Sequence, residues 1–383
     1  MDHASAAPGR IWLNEMANGL SPESLQDALR SRHAFMAGGL PERLAILGAG
    51  AEGRRLAEIC ARQNIDVVGI FDNDAGKRGT AIGKHRVVPS DAIGLVERTV
   101  PIVIASHRVL GATLSLKAMG FQCAPFALLQ ALEPATFAPH MFYDGILDDI
   151  SANRGRYLKL AGLLEDSQSL DVLDRVLGYR LTMDASLLAE IIDWDLYGFS
   201  GLVRFGSDEV YVDAGAFDGD SVRMFIDHVH GAYERILAFE PDPQTFERLS
   251  RNLKSVARVE PLNYGLHRAK KVLRFHNDGS RGAIIADDGE YQINVTGLDE
   301  ILDGARATFI KMNIEGAEID ALWGSAKTIR RWRPRLAISA YHRPSDLWQV
   351  PFTFREIHPD YQLYLRQHDG GVIETVAYGV PKQ

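Results

Sequence analysis

Twice in this chain an apolar, strand-like run ends in a glycine turn that opens a helix: LAILGAGAEG at residues 44–53 and VDAGAFDGDS at residues 212–221. A strand, a tight turn and a helix in that order form a βα unit. The alternation recurs downstream of each loop, which commits the chain to parallel sheets with helical crossovers. After the first loop come AEGRRLAEICARQ, with Leu56, Ile59 and Cys60 at helical spacing, the strand-like DVVGIFDND and VPIVIAS, and the helical GATLSLKAMG. After the second come RILAFEP, PDPQTFERLSRNL, RVEPLNYGL, ATFIKMNI, GAEIDALWGSAKTIRRW (one helix by its spacing) and RLAISAYH. KVLRFHND and QINVTGL read as an inserted pair of strands. YQLYLRQHD and VIETVAYGVP flank a short Asp-Gly-Gly turn and must run antiparallel.

At 383 residues the chain exceeds one ordinary domain. The expected division is a helical extension over 1–40, with Ser21 capping a short helix, then a doubly wound domain over 41–133. A helical connector over 134–207 leads to a second doubly wound domain over 208–383 that ends in the hairpin. The fold class is α/β.

The formal charge of −8 and the lack of a basic stripe argue against nucleic-acid binding, which needs clustered Lys and Arg. Cys60 and Cys123 are too isolated for a zinc site or a disulfide framework, so a reducing, cytoplasmic setting is the expectation. No apolar run is long enough to span a bilayer, and no signal peptide is evident.

The two loops differ in chemistry. The second carries Asp213, Asp218 and Asp220 around Gly215 and Gly219. Three carboxylates repel a pyrophosphate and suit a cationic nucleoside such as S-adenosylmethionine. Glu240, at the end of the next strand, is placed to accept hydrogen bonds from ribose hydroxyls. We expect Asp213, Gly215, Phe217, Asp218, Gly219, Ser221, Glu240, Pro241, Asp242 and Asn263 to hold this cofactor. The bland reading is a helix cap and a turn glycine in a structural sheet.

From about Glu209 to Pro381 the chain resembles the FkbM-type methyltransferases. The resemblance rests on VDAGAFDGDS, FEPDPQTFERLSRNL, TGLDEIL, IKMNIEGAE, RPRLAISAYHRPSDLW and ETVAYGVP, in that order. It implies a class I methyltransferase fold for that half, beside the Rossmann-like domain read from the alternation in the first half, and an S-adenosylmethionine-dependent O-methyltransferase. Its acceptor is then a hydroxyl of a sugar, glycan or secondary metabolite. The family usually carries aspartate where this chain has Asn313, and an amide does not titrate. That departure motivates the alternative of a non-catalytic protein that binds cofactor or nucleotide-sugar.

Methyl transfer to a hydroxyl needs positioning and a base. The candidates are His342, at the end of a strand and of suitable intrinsic pKa, assisted by Asn313 or Glu315. Each has a structural counterpart: a satisfied histidine, an orienting amide, an acid at a helix start. Tyr341 and Arg343 are further candidates for acceptor contact, with a plain surface role the alternative for Arg343, and the glycine-rich stretch 276–291 is a lid or a plain hairpin loop. His276, Asp278, Asp287 and Asp288 match no recognised ligand spacing, so no metal is expected.

The first loop has Gly48, Gly50 and Gly53 in G-x-G-x-x-G spacing, with Asp72 nineteen residues beyond. A nucleotide or nucleotide-sugar site, a purely structural sheet and a homodimer contact all remain open for this domain, which is similar to the small N-terminal domains of bacterial sugar acyltransferases. An oxidoreductase using this loop is a third reading of the whole.

Overall fold

The computed structural model describes residues 10–17, 21–198, 201–276, 284–285 and 291–382. The chain forms two compact units. The first comprises Met1–Gly162, Leu170–Ile192 and Asp369–Glu374; the second comprises Leu163–Ser169, Asp193–His368 and Thr375–Gln383. The four expected segments are therefore two units. The N-terminal extension joins the first unit: Leu13 N–H donates to Asp174 Oδ1 (2.9 Å), and Leu25 and Leu29 are buried. The connector is helical as expected, with helices Ile146–Ala152, Arg154–Ala161 and Ser167–Thr182, but its residues are shared between the units.

In the first unit six strands, β1 (Arg43–Leu47), β2 (Asp66–Asp72), β3 (Ala81–Ile82), β4 (His85–Pro89), β5 (Ile102–Ile104) and β6 (Cys123–Pro125), form a sheet in the order β3-β4-β2-β1-β5-β6. All pairs are parallel except β3–β4. Leu44, Ala45 and Ile46 of β1 are buried, and helix Ala51–Arg62 covers the sheet with Leu56, Ile59 and Cys60, the spacing read from sequence.

The second unit introduces β7 (Val210–Ala214), β8 (Arg235–Phe239), β9 (Val259–Leu262), β10 (Gly265–Leu266), β11 (Lys271–His276), β12 (Ile284–Ile285), β13 (Tyr291–Thr296), β14 (Phe309–Met312), β15 (Arg335–Ser339), β16 (Tyr361–Gln367) and β17 (Thr375–Pro381). Its main sheet runs β16-β17-β15-β14-β7-β8-β9. β17 is antiparallel to both neighbours, as the closing hairpin requires, and the other pairs are parallel. Every residue of β7 is buried because helices cover both faces of a parallel sheet. Tyr211, Phe225, Ile236, Leu249 and Phe309 belong to the core on one face. β11 and β13 pair antiparallel as the inserted strands.

Two details depart from the sequence reading. The stretch after β14 is two helices, Glu318–Trp323 and Ala326–Trp332: Gly324 O accepts from Asp299 N–H, and the Asp299 carboxylate accepts from the N–H groups of Lys327 and Thr328 in the first turn of the second helix. The closing turn is longer than Asp-Gly-Gly, since β16 ends at Gln367 and β17 begins at Thr375. Strand order reverses at β7, whose neighbours are β14 and β8. Doubly wound sheets bind ligands beyond the carboxyl ends of the strands at such a switch point.

Candidate active site

The second glycine loop leaves β7 at this switch point. Gly215 has φ +77°, and a Cβ there would sit 2.0 Å from Asn313 O, so glycine is required on two counts. The N–H groups of Gly215 and Ala216 both donate to Phe239 O, at 3.0 and 2.9 Å, which bends the loop back over β8. Glu240 then fastens it. Its Oε2 accepts from Phe217 N–H (3.1 Å) and its Oε1 from Asp242 N–H (3.0 Å). Asn263 Nδ2 donates to the carbonyls of Glu240 and Pro241 (2.9 and 3.1 Å) and fixes the turn beyond β8. Burial pushes the Glu240 carboxyl up to about 7, against the pull of its two N–H donors. Gly215, Phe217, Glu240, Pro241 and Asn263 thus meet around the ends of β7 and β8, while Gly219 caps helix Asp220–His228.

Asp213 does not present the open carboxylate inferred from the loop. It is fully buried: Oδ1 lies 2.8 Å from Lys311 Nζ, and Oδ2 accepts from Ser221 Oγ at 2.5 Å. Lys311, 2 % exposed, also donates to Gly215 O at 2.8 Å. Burial opposes the ammonium charge, but the adjacent Asp213 outweighs it and holds Lys311 protonated. Asp213 and Ser221 therefore set the loop from beneath. Lys311 is the residue whose importance the sequence understated; a lysine inside the apolar run FIKM was the available signal, because a buried ammonium demands a partner. Asp242 caps helix Pro243–Leu253 through Thr245 N–H (2.8 Å). Asp218 stands 3.5 Å from Arg223.

Beyond β14 and β15 lie the proposed catalytic groups. Asn313 N–H donates to Ala214 O (3.1 Å), and its Oδ1 accepts from Tyr341 OH (3.2 Å), so the amide sits against the cofactor loop. Glu315 adopts φ +54°, a strained value for a non-glycine residue, and its side chain is 30 % exposed. His342 is displaced from the role expected of it. It is fully buried, with Nδ1 3.0 Å from Glu318 Oε1 and Nε2 3.5 Å from Glu315 Oε2. Burial alone would lower its pKa; Glu318, with Glu315 and Asp346, overrides burial and pushes it up to about 9. A base needs a nitrogen that is neutral and reachable, and this imidazole is enclosed between carboxylates.

In the first unit Asp72 Oδ2 accepts from Ala49 N–H (2.7 Å) and lies 3.1 Å from Lys77 Nζ, while Oδ1 accepts from Asp74 N–H (2.8 Å). An added Cβ at Gly48 would lie 2.6 Å from Ala105 O and one at Gly53 1.9 Å from Gly48 O, whereas Gly50 faces open space. Asp278, Asp287, Asp288, the side chain of His276 and most of the stretch 276–291 lie outside the described residues. Among the described residues no helix is long and apolar enough to cross a membrane.

S-adenosylmethionine fits the second loop. The acid beyond β8 is already held in place by backbone donors, Asp218 and Asp220 add negative charge at the loop, and the buried Lys311 is neutralised by Asp213. A sulfonium is favoured there and a pyrophosphate is not.

Comparison with known proteins bears on the family and the fold. Residues 213–369 match the model of the methyltransferase FkbM domain. The hexuronic acid methyltransferase AglP of Haloferax volcanii is 25 % identical over 169 residues, which cover 42 % of this chain and 70 % of that protein. The crystal structure of methyltransferase FkbM from Methylobacillus flagellatus KT superposes with a TM-score of 0.74 at 26 % identity, covering 96 % of this chain and all of that one. Residues 213–369 therefore form an FkbM methyltransferase domain, and the chain is an S-adenosylmethionine-dependent methyltransferase.

Proposed function

We propose that this enzyme methylates a hydroxyl of a sugar. The observation that carries the reading is the place of Asn313: its main chain is bonded to the cofactor loop and its side chain to Tyr341. Tyr341, Asn313 and Glu315 then line the approach of an acceptor. When bound, S-adenosylmethionine supplies an activated methyl group, so the chain's task is to position and deprotonate the acceptor. Glu315 takes the hydroxyl proton, Asn313 and Tyr341 orient the acceptor oxygen, and His342 with Glu318 positions Glu315 from behind. Loss of an acid at position 313 is met by the acid two residues on.

The relative named as a hexuronic acid methyltransferase supports a sugar acceptor. A hexuronic acid offers both hydroxyls and a carboxylate. Glu315 favours the hydroxyl, because it repels a carboxylate and a carboxylate needs no base. Incubation with uronic-acid glycans and labelled cofactor tests this: an alkali-stable methyl ether is expected, and an alkali-labile ester would overturn the hydroxyl assignment. Glu315→Gln should cut kcat about 100-fold or more while leaving S-adenosylhomocysteine affinity unchanged.

For the first unit we infer a nucleoside-bearing ligand such as a nucleotide-sugar. Asp72 and Glu240 each accept from a loop N–H 23 positions earlier and from the N–H two residues on. Lys77 beside Asp72 also softens the repulsion of phosphates. Calorimetry with UDP-sugars tests it, and no heat at millimolar ligand would reject it.

A further inference from the structure

We propose that Glu318, His342 and Asp346 form a site for a divalent first-row metal ion. The three come from separate elements of the second unit. Glu318 opens helix Glu318–Trp323, His342 follows β15, and Asp346 opens helix Asp346–Ile357. Each offers a ligand atom within 4.8 Å of the others, and the residues are 1 %, 0 % and 2 % exposed.

Two carboxylates face one imidazole in a buried space, and even a protonated imidazole balances only one of them; a metal ion would take the place of that proton and bring the second positive charge. The backbone answers only part of the carboxylates' charge. Ile314 N–H donates to Glu318 Oε1 and Arg343 N–H to Asp346 Oδ2, both at 2.8 Å. Among the described residues Glu318 Oε2 is buried without a hydrogen-bond partner. A cation bound by the oxygens and the imidazole would satisfy this atom and the charge together.

The donor set selects the ion. Two carboxylates and one imidazole suit Mn²⁺, Fe²⁺ or Zn²⁺ better than Ca²⁺, which prefers an all-oxygen cage. At metal–ligand lengths of about 2.1 Å, ligand atoms lie roughly 3 to 4 Å apart, so the cluster needs to close by less than about 1 Å. His342 is oriented for the task. Its Nδ1 faces Glu318 at 3.0 Å, and its Nε2 faces Glu315 at 3.5 Å. A carboxylate on the second ring nitrogen is the arrangement that orients metal-bound imidazoles. The ion would pin the turn after β14 to the turn after β15, holding Asn313 and Tyr341 in register. The site does not depend on which acceptor is methylated.

The test uses the full-length chain, stripped with chelator and titrated with MnCl₂ while free Mn²⁺ is followed by electron paramagnetic resonance. One Mn²⁺ per chain is expected, with nitrogen coupling from an imidazole in the pulsed spectrum of the wild-type protein. Asp346→Asn should weaken binding about tenfold or more with an unchanged circular dichroism spectrum. Failure of both Mn²⁺ and Zn²⁺ to bind at about 1 mM, bound Mn²⁺ lacking nitrogen coupling, or equal affinity in a folded Asp346→Asn protein would each overturn the proposal. The pulsed spectrum decides the question even if the variant does not fold.

Discussion

Glu240 ties the loop through Phe217 N–H, and in the cofactor role proposed for it the same carboxylate also accepts from a ribose. Ribose hydroxyls donate, so they favour the ionised acid and draw its pKa down when a nucleoside binds. With the unliganded acid near 7, S-adenosylhomocysteine affinity should be level above pH 7. It should fall as pH is lowered through 7, approaching about tenfold per unit; calorimetry from pH 5.5 to 8.5 reads this directly. Glu240→Gln should cost about 1.5–3 kcal/mol of binding and remove the pH dependence. Beneath the loop, Lys311→Met leaves the Asp213 charge buried alone and should destabilise the protein by about 3–5 kcal/mol in urea unfolding. A Lys311→Met, Asp213→Asn double variant should recover part of that loss. Glu240 was legible because a strand end fixes where its acid lies. The occupation of Asp213 was not, since its partner lies 98 positions away, and sequence spacing carries no information on pairs that a sheet brings together. His342 was misjudged for the same reason: Glu318, 24 positions earlier in the chain, encloses it.

At the scale of elements the sequence was most informative where burial imposes a period. Helices Ala51–Arg62 and Pro243–Leu253 show their buried faces in the spacing of Leu56 and Ile59, and of Leu249 and Leu253. The break between Glu318–Trp323 and Ala326–Trp332 escaped notice because Ile319, Leu322, Trp323 and Ala326 keep a helical spacing across it, while Asp299, which bonds both sides of it, lies on an earlier element. The turn from β7 into helix Asp220–His228 tolerates substitution poorly. Gly215→Ala meets a positive φ and a backbone oxygen together, so its unfolding free energy should fall by at least about 2 kcal/mol, seen as a lower thermal midpoint.

At the scale of the whole molecule, the six-stranded and seven-stranded sheets are of one class and share a local device, with an acid 23 positions after a loop N–H in each. Hydrogen exchange should separate their roles. S-adenosylhomocysteine should slow amide exchange around 213–219 and 240–242 and leave 48–53 unchanged, whereas a UDP-sugar should do the reverse. Protection of both loops by one ligand would contradict this division. The existence of two doubly wound sheets was legible from their repeated strand–turn–helix order, but the composition of the units was not. The chain passes between units five times, after residues 162, 169, 192, 368 and 374. That path has a consequence for synthesis. β17 lies between β15 and β16, and the first unit lacks Asp369–Glu374 until those residues are made. Neither unit can be completed in order as the chain leaves the ribosome, so a nascent chain halted at residue 360 should remain protease-sensitive in both, unlike proteins whose domains close one after another during translation.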